Sequence, residues 1–191
     1  MQEFDDGVLT VGTALARATG WLHLPVEVFS DYGFVLFVLL WALCWRRGAS
    51  RPALLAALVA PPVAWLISIG LKVLVTEPRP CLTLKDLYTV QPCDPPTDYS
   101  FPSNHATIAF AAAVAILVLD RRLGLVALIV AVLIGATRVY LGVHYPHDVL
   151  AGAFVGSAVA YLLVKLTVRA RGGRTPGSAP PRPGPSPAPR R

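Results

Sequence analysis

Long apolar segments alternate with short polar segments along most of this sequence. Five apolar runs are long enough to cross a hydrocarbon core of about 30 Å, or nearly so with their flanking residues, at about 1.5 Å per helical residue. They occupy residues 33–45, 52–71, 106–119, 123–136 and 149–168. The pattern predicts an all-α integral membrane bundle of five transmembrane helices, or six if the N-terminal segment also spans.

The segment before the first run has a mixed character. Residues 8–29 are partly apolar but also contain Arg17, His23, Pro25 and Glu27. This mixture favours an amphipathic helix that lies on the membrane surface over a sixth span. Because the first seven residues are acidic and lack the basic start of a secretory signal, no cleavable signal peptide is expected.

The composition indicates one domain in a membrane setting. The chain has 191 residues, of which 54% are hydrophobic and only 15% charged, and its mean hydropathy is +0.57. We divide it into an N-terminal segment at 1–30 with the amphipathic helix, a membrane domain at 31–171 and a tail at 172–191. The tail consists almost entirely of Pro, Gly, Ser, Ala and Arg, which cannot bury a core, so it is predicted to be disordered and cytoplasmic.

Basic residues orient the predicted bundle. They lie between the first and second runs, between the third and fourth, and near or beyond the end of the fifth: Arg46, Arg47, Arg51, Arg121, Arg122, Lys165, Arg169, Arg171 and Arg174. By the positive-inside rule these segments face the cytoplasm, so the intervening segments face outward. The net charge of +6 therefore reflects topology and attraction to anionic lipids, and no nucleic-acid partner is expected without a soluble basic surface.

Three polar clusters fall at the outward ends of the predicted helices. In chain order they are Lys72 with Arg79 and Pro80, then Pro102-Ser103-Asn104-His105, then Arg138 with His144 and Asp148. They contribute three cations, two imidazoles and one carboxylate. These groups can bind a phosphate, attack its phosphorus and protonate what leaves. The sequence therefore predicts a membrane phosphatase with its site at the outer face.

The clusters also have plainer explanations when each is taken alone. Ser103 or Asn104 can cap the helix that follows, where unpaired N–H groups form an anion site, but they could be caps only. Asp148 can orient His144 as a nucleophile, or be no more than a charge favoured at a helix start. The neighbouring His147 is interpreted as structural.

Taken together, the clusters resemble the three ordered motifs of the type 2 phosphatidic acid phosphatase superfamily, over roughly residues 33–168. Within it, Ser100-Phe101 and Gly142-Val143-His144-Tyr145-Pro146 are similar to the bacitracin-resistance type of undecaprenyl-diphosphate phosphatase. The resemblance implies an all-helical bundle, hydrolysis without a metal or other cofactor, and a phosphohistidine intermediate. Two departures are Asn104, where the family usually has Gly, and Thr137, where it usually has Ser.

The resemblance also implies residue roles. His144 would be the nucleophile and Asp148 the residue that orients it, while His105 would protonate the leaving oxygen and then activate water. The phosphate-binding residues would be Lys72, Arg79, Arg138, Ser103 and Asn104.

The expected substrate is a lipid phosphate held in the bilayer. The first hypothesis is a prenyl diphosphate, undecaprenyl or decaprenyl, cleaved to the monophosphate at the extracytoplasmic face of a bacterial plasma membrane. Phosphatidic acid, phosphatidylglycerol phosphate and a prenyl-phosphoryl sugar phosphate are alternative substrates. An anion or lipid transporter is the alternative of another class, although its charges would be spread through the spans.

Two of the three cysteines fall in one outward segment. Cys81 and Cys93 both lie between the first and second clusters, where an exported chain meets an oxidising environment. A disulfide between them is therefore expected, with two free thiols as the alternative. Cys44 lies near the cytoplasmic end of a predicted helix and has no partner at that depth.

Overall fold

The computed structural model describes residues 2–172, which are helical apart from turns and connecting segments and contain no β-strand. The helices are α1 (Gln2–Ala18), α2 (His23–Tyr32), α3 (Val35–Arg46), α4 (Arg51–Val75), α5 (Pro80–Thr83), α6 (Asn104–Leu119), α7 (Arg121–Tyr140) and α8 (Pro146–Gly172). The five apolar runs correspond to α3, α4, α6, α7 and α8. The prediction of an all-helical membrane fold is confirmed.

Helix α6 lies at the centre of the bundle and packs against α4, α7 and α8. Its buried positions are mostly alanines. On α8, a Cβ added to Gly152 would lie 2.6 Å from the carbonyl oxygen of Ser103, and one added to Gly156 would collide with the carbonyl oxygen of Thr107. Small residues allow membrane helices to approach this closely. The close contact fixes the start of α8 beside the start of α6, which brings two of the polar clusters together.

Three helical segments are long and apolar enough to cross a membrane: Arg51–Thr83, Arg121–Tyr140 and Pro146–Ala170. A fourth span results if Gly20–Tyr32 and Val35–Arg46, which meet at a bend of 44°, cross together. Helix α6 is apolar but has only 16 residues, or about 24 Å of helix. By length and composition alone, three or four spans are therefore supported in the described part of the chain. This number is lower than the five predicted, because α3 and α6 are each shorter than a full span.

The N-terminal segment forms two helices, whereas the sequence predicts one interfacial helix over residues 8–29. A 3₁₀ turn at Gly20–Leu22 separates α1 from α2. Helix α1 packs on α7, and Leu9 and Ala16 on α1 are fully buried. Glycine at the start of this turn favours the break, since it is a poor residue for a helix interior. The tail predicted at 172–191 lies outside the described residues beyond its first position.

One end of the bundle carries all three polar clusters. It is formed by α2, the end of α4, the starts of α6 and α8 and the end of α7, and the segment 84–103 covers it. A disulfide joins Cys81 to Cys93 at this end, which is the pair expected from the sequence. Cys44 is buried in α3, near the opposite end.

Candidate active site

A cavity of about 570 Å³ opens at the end of the bundle that carries the polar clusters. Five of the eight predicted site residues line it: Arg79, Asn104, His105, Arg138 and His144. Helix α2 and the covering segment add four carboxylates to its walls, from Glu27, Asp31, Asp94 and Asp98. The other three predicted residues, Lys72, Ser103 and Asp148, are buried behind these walls.

His144 is presented to the cavity by a tight turn between α7 and α8. Gly142 has a φ of +77°, and a Cβ at this position would lie 2.9 Å from the carbonyl oxygen of Tyr88. Only glycine adopts such a conformation without strain. The turn brings Nε2 of His144 to 3.5 Å from Nη1 of Arg79, while Nδ1 lies 3.3 Å from Oδ2 of Asp148.

Asp148 is fully buried, and one of its two oxygens receives all of its hydrogen bonds. Oδ2 accepts from the backbone N–H of Tyr145 at 2.8 Å and from the hydroxyl of Ser100, and it also faces Nδ1 of His144. Oδ1 has no hydrogen-bond partner among residues 2–172. A carboxylate fixed in this way keeps Nδ1–H of His144 inward and leaves the Nε2 lone pair facing the cavity.

Burial is the main cause that lowers the pKa of His144 to about 4; Asp148 opposes the shift, and Arg79 and Arg138 add to it. The imidazole is therefore neutral at neutral pH. A neutral imidazole has the lone pair that a nucleophile needs.

Arg79 is the most extensively bonded cation at the cavity. Its guanidinium pairs with Asp98 at 2.9 Å and with Asp94 at 3.0 Å, and it donates to the carbonyl oxygen of Val143 at 3.1 Å. These partners offset the cost of burying a charged group. Both carboxylates line the cavity, so a phosphate held by Arg79 competes with them for its N–H donors.

Lys72, near the end of α4, supports one of the same carboxylates. Its ammonium lies 3.5 Å from Oδ1 of Asp98 and donates to the carbonyl oxygen of Tyr99. Burial tends to raise the pKa of Asp98, but Arg79 and Lys72 outweigh it and hold the pKa below its ordinary value. Asp98 is therefore ionised at neutral pH and links the two cations of the first cluster.

Arg138, near the end of α7, differs from the other two cations. It is buried and donates from Nη1 to the hydroxyl of Ser30 at 2.9 Å. Its Nε has no hydrogen-bond partner in the described part of the chain. A buried guanidinium with an unused donor at a cavity wall is well suited to bind an anion.

The second cluster begins α6, as the sequence predicts, but the expected side-chain cap is absent. Ser103 occupies the N-cap position, yet its hydroxyl makes no hydrogen bond to the helix start or to any other described residue. Asn104 accepts a hydrogen bond at Oδ1 from the hydroxyl of Ser68 at 2.7 Å. His105 lies on the cavity wall with Nε2 at 3.7 Å from Oδ1 of Asp31. The Ser103 hydroxyl thus leaves the N–H groups at the start of α6 uncapped.

Sequence reasoning missed the carboxylates of the site. Asp94 and Asp98 fall in an irregular segment, and Asp31 falls between the predicted interfacial helix and the first apolar run, so none of them belongs to a motif. Their signal is indirect: buried cations such as Arg79 require anionic partners, and the segment that follows Cys93 is acidic.

Residue types that bind metals meet on the far side of Asp148 from the cavity. Within the described residues, Glu77, His147 and Asp148 each offer a ligand atom, and these atoms lie within 4.8 Å of one another. This group shares only Asp148 with the predicted site.

The sequence profile of the PAP2 superfamily matches residues 53–171. The chain is 37% identical over 109 residues to undecaprenyl-diphosphatase of Sulfolobus acidocaldarius, covering 54% of this chain and about half, 52%, of that protein. It is 30% identical over 141 residues to undecaprenyl-diphosphatase BcrC of Bacillus subtilis, covering 72% and 71%. It is 34% identical over 150 residues to decaprenylphosphoryl-5-phosphoribose phosphatase of Mycobacterium tuberculosis, covering 78% of each.

A solved structure shares the fold. A transmembrane PAP2 type phosphatidylglycerolphosphate phosphatase from Bacillus subtilis matches with a TM-score of 0.69 at 21% identity, over 91% of this chain and 89% of that chain. At this identity the likeness shows the fold alone. The superfamily profile covers more than half of the chain and includes all three polar clusters. The chain therefore belongs to the PAP2 superfamily and is a multi-pass membrane lipid phosphatase.

Proposed function

We propose that this phosphatase cleaves a prenyl diphosphate to the prenyl monophosphate and inorganic phosphate, with His144 as the nucleophile. The observation that carries the proposal is the position of His144: Nε2 faces the cavity 3.5 Å from Arg79, and Nδ1 is held by Asp148. His105 and Arg138 line the same cavity. A nucleophile, its orienting carboxylate, an acid and phosphate-binding cations are thus within one site.

In the first step, the Nε2 lone pair of His144 attacks the terminal phosphorus. The P–N bond forms while the bond from phosphorus to the bridging oxygen breaks, and this oxygen takes the bond electrons and leaves as part of the prenyl monophosphate. Beside the negative charge of the bound diphosphate, His105 is protonated, and it donates this proton to the leaving oxygen. Asp148 stabilises the positive charge that develops on the His144 ring.

In the second step, water attacks the phosphorus of the phosphohistidine. Neutral His105 takes a proton from the water as the new P–O bond forms. The P–N bond breaks and its electrons return to Nε2 of His144. Inorganic phosphate leaves, His105 is protonated again, and His144 is neutral again. In both steps the cations offset charge on the phosphoryl oxygens.

An apolar groove supports a substrate with a long hydrocarbon tail. It has a volume of about 310 Å³, runs between α3, α4 and α6, and is lined by apolar side chains that include Trp41 and Ile116. It begins at Phe34, whose ring centroid lies 5.8 Å from that of His105. A lipid whose headgroup lies beside His105 can therefore extend its tail into this groove.

A prenyl-phosphoryl sugar phosphate is the second candidate substrate. The Mycobacterium tuberculosis relative, named as a decaprenylphosphoryl-5-phosphoribose phosphatase, matches over a larger share of this chain than the undecaprenyl-diphosphatases of Sulfolobus acidocaldarius and Bacillus subtilis. Both candidates carry a prenyl tail. They differ in the leaving group, which is a phosphate oxygen in one and a sugar oxygen in the other.

We also propose that the cavity faces the outside of the plasma membrane. The support is the charge at the opposite end of the bundle, where the termini of α3, α4, α7 and α8 carry basic residues. A disulfide at the cavity end fits an oxidising compartment. In intact cells, a membrane-impermeant thiol reagent should label a Lys85→Cys variant but not an Arg122→Cys variant. The reverse labelling would contradict the proposed orientation.

A substrate panel tests the proposed reaction. The purified protein is incubated with undecaprenyl diphosphate, decaprenylphosphoryl-5-phosphoribose, phosphatidic acid and phosphatidylglycerol phosphate, and released phosphate is measured. We expect the highest kcat/KM with undecaprenyl diphosphate. The sugar phosphate as the best substrate would establish the second candidate. A clear preference for either glycerophospholipid would refute both prenyl proposals.

A further inference from the structure

His147 lies on the side of Asp148 that faces away from the cavity. Its Nε2 is 3.4 Å from Oδ1 of Asp148, the oxygen without a hydrogen-bond partner among the described residues. The same Nε2 lies 3.0 and 3.1 Å from the two carboxylate oxygens of Glu77. The interpretation of His147 as structural therefore leaves out a contact with a candidate site residue.

Three further residues hold the ring of His147 in place. Asp5 of α1 lies with Oδ2 at 3.1 Å from Nδ1, and its Oδ1 accepts from the His147 backbone N–H at 3.2 Å. The rings of Phe101 and Tyr145 stack on the imidazole, with centroids 5.9 and 5.4 Å away. Because Asp5 is buried, these contacts also tie α1 to the start of α8.

The neighbours of the His147 ring favour a positive charge on it. The carboxylates of Asp5, Glu77 and Asp148 surround the ring. A neutral imidazole has only one N–H, so its other nitrogen would turn a lone pair toward a carboxylate at hydrogen-bond distance. Repulsion between the lone pairs opposes that state. A protonated ring instead presents an N–H at each nitrogen, and its charge is attracted to all three carboxylates.

A proton fits between these groups better than a metal ion does. In a tetrahedral zinc site with bonds of about 2.0 to 2.2 Å, neighbouring ligand atoms lie about 3.3 to 3.6 Å apart. Nε2 of His147 lies 3.0 and 3.1 Å from both oxygens of Glu77. These are distances of N–H···O hydrogen bonds.

We propose that His147 is a positioning residue for the phosphatase reaction: as an imidazolium it holds Oδ1 of Asp148 and thereby keeps Oδ2 on His144. The inference rests on the proposed function, in which Asp148 orients the nucleophile. Asp148 is then held between two imidazoles, one neutral beside the cavity and one charged on the far side. Oδ2 then faces the neutral ring and Oδ1 faces the charged one, which attracts it without a hydrogen bond.

The protonation of His147 is set by groups from three parts of the chain. Asp5 faces it from α1 and Glu77 from the segment that follows α4. Tyr145 and Asp148, which flank His147 in the sequence, also face its ring. The carboxylates among them favour the proton, and the cations of the active site lie beyond Asp148.

A double-mutant cycle tests the positioning role. His147→Leu should lower kcat for undecaprenyl diphosphate by about 10- to 50-fold with little change in KM, since partners that orient a functional group typically contribute about 10- to 100-fold. In an Asp148→Asn background the same substitution should lower kcat by less than about twofold, because His147 acts through that carboxylate. His147→Gln keeps an N–H donor and should recover part of the loss. His23→Leu is the matched control, since His23 is a partly buried histidine bonded to the Ala16 carbonyl outside the site.

The charge state of His147 is measured separately. In ¹⁵N NMR of the labelled histidine side chains, the His147 signals are assigned by their loss in His147→Gln. Both ring nitrogens should be protonated at pH 7. A neutral ring at that pH would overturn the proposal.

Three kinetic outcomes would also overturn it. The first is a kcat of His147→Leu equal to that of the parent protein. The second is an equal loss of kcat on substitution of His147 in the parent and Asp148→Asn backgrounds. The third is bound zinc whose removal by chelation abolishes activity. The parent kcat in Asp148→Asn would instead refute the proposed function, so the two failures are distinguishable. Thermal unfolding of each variant in detergent shows whether a loss of kcat reflects unfolding. If His147→Leu does not fold, the kinetic comparison is made with His147→Gln.

Discussion

The two oxygens of Asp148 face surroundings of opposite charge. On the cavity side, Oδ2 faces His144, and the guanidinium groups of the site lie beyond that ring. On the far side, Oδ1 faces His147, which two further carboxylates contact. Burial lowers the pKa of His144 to about 4, whereas the surroundings of His147 favour a proton. Burial and neighbouring charges, more than proximity in a motif, thus decide what an imidazole can do.

The largest expected effect lies on the cavity side. His144→Ala should reduce turnover to the background rate, because the phosphohistidine cannot form. Asp148→Asn should leave weak activity, since the imidazole persists in a poorer tautomer. Rapid-quench assays of phosphate release and of acid-labile, alkali-stable phosphoenzyme measure both effects. Hydrolysis by His144→Ala at near the parent rate would exclude this mechanism.

The next largest effect concerns the cations, which also differ from one another. Arg138 has an unused donor, whereas Lys72 is bonded behind the cavity wall to Asp98 and a backbone carbonyl. Arg138→Lys should therefore lower kcat/KM by about 100-fold, because the planar fork that binds two phosphoryl oxygens is lost. Lys72→Gln should lower it by about tenfold, through the position of Asp98.

Steady-state kinetics and the inhibition constant for vanadate measure this difference between the cations. Arg122→Gln, at an exposed position outside the site, is the matched control. A larger effect for Lys72→Gln than for Arg138→Lys would show that Lys72 contacts the substrate directly.

A smaller effect concerns pH. Because the folded pKa of His144 lies near 4, below the ordinary value of about 6.5, its imidazole should remain neutral at pH 5.5. The unfolded chain binds the proton more readily, so this group should reduce stability as pH falls from about 6.5 to about 4. ¹⁵N NMR should show His144 neutral and His147 charged at pH 5.5. Two charged rings at that pH would remove the contrast between the two sides of Asp148.

The fold and most of the site follow from local patterns in the sequence. Apolar runs of helical length predict the bundle, because a membrane requires every backbone polar group to be bonded within a helix. One cavity is lined by four residues that the sequence places near helix ends, as predicted: Arg79, His105, Arg138 and His144. The break at Gly20–Leu22 was not predicted, since polar residues on both sides of it fit a single amphipathic helix.

The partners of these residues could not be predicted, because they depend on contacts between distant segments. Asp98 reaches Arg79 through an irregular segment, and Ser30 reaches Arg138 from α2. The surroundings of His147 combine Asp5 from the first turns of α1 with residues far along the chain. Local periodicity carries no information about such pairs.

Loss of the disulfide should have a modest effect on the position of the segment 84–103, which covers the cavity. Cys93 precedes Asp94, one of the carboxylates on Arg79, and is joined to Cys81. Replacing both cysteines by Ser should lower stability by about 2 to 4 kcal/mol in the chain-entropy model and change kcat by only a few-fold. Thermal unfolding and kinetics measure these effects, with Cys44→Ser as the control. Alkylation of both Cys81 and Cys93 in the non-reduced protein, detected by mass spectrometry, would exclude the disulfide.

The smallest expected effect is that of removing divalent cations. On the cavity side, Asp94 and Asp98 are paired with cations, and on the far side Glu77 is paired with the proposed imidazolium of His147. Activity should therefore be unchanged in EDTA, while vanadate should inhibit by occupying the phosphate site. Phosphate release with and without EDTA, followed by addition of Mg²⁺ or Zn²⁺, is the measurement. Full loss in EDTA with recovery on Mg²⁺ or Zn²⁺ would contradict this prediction and show that a metal takes part in the reaction.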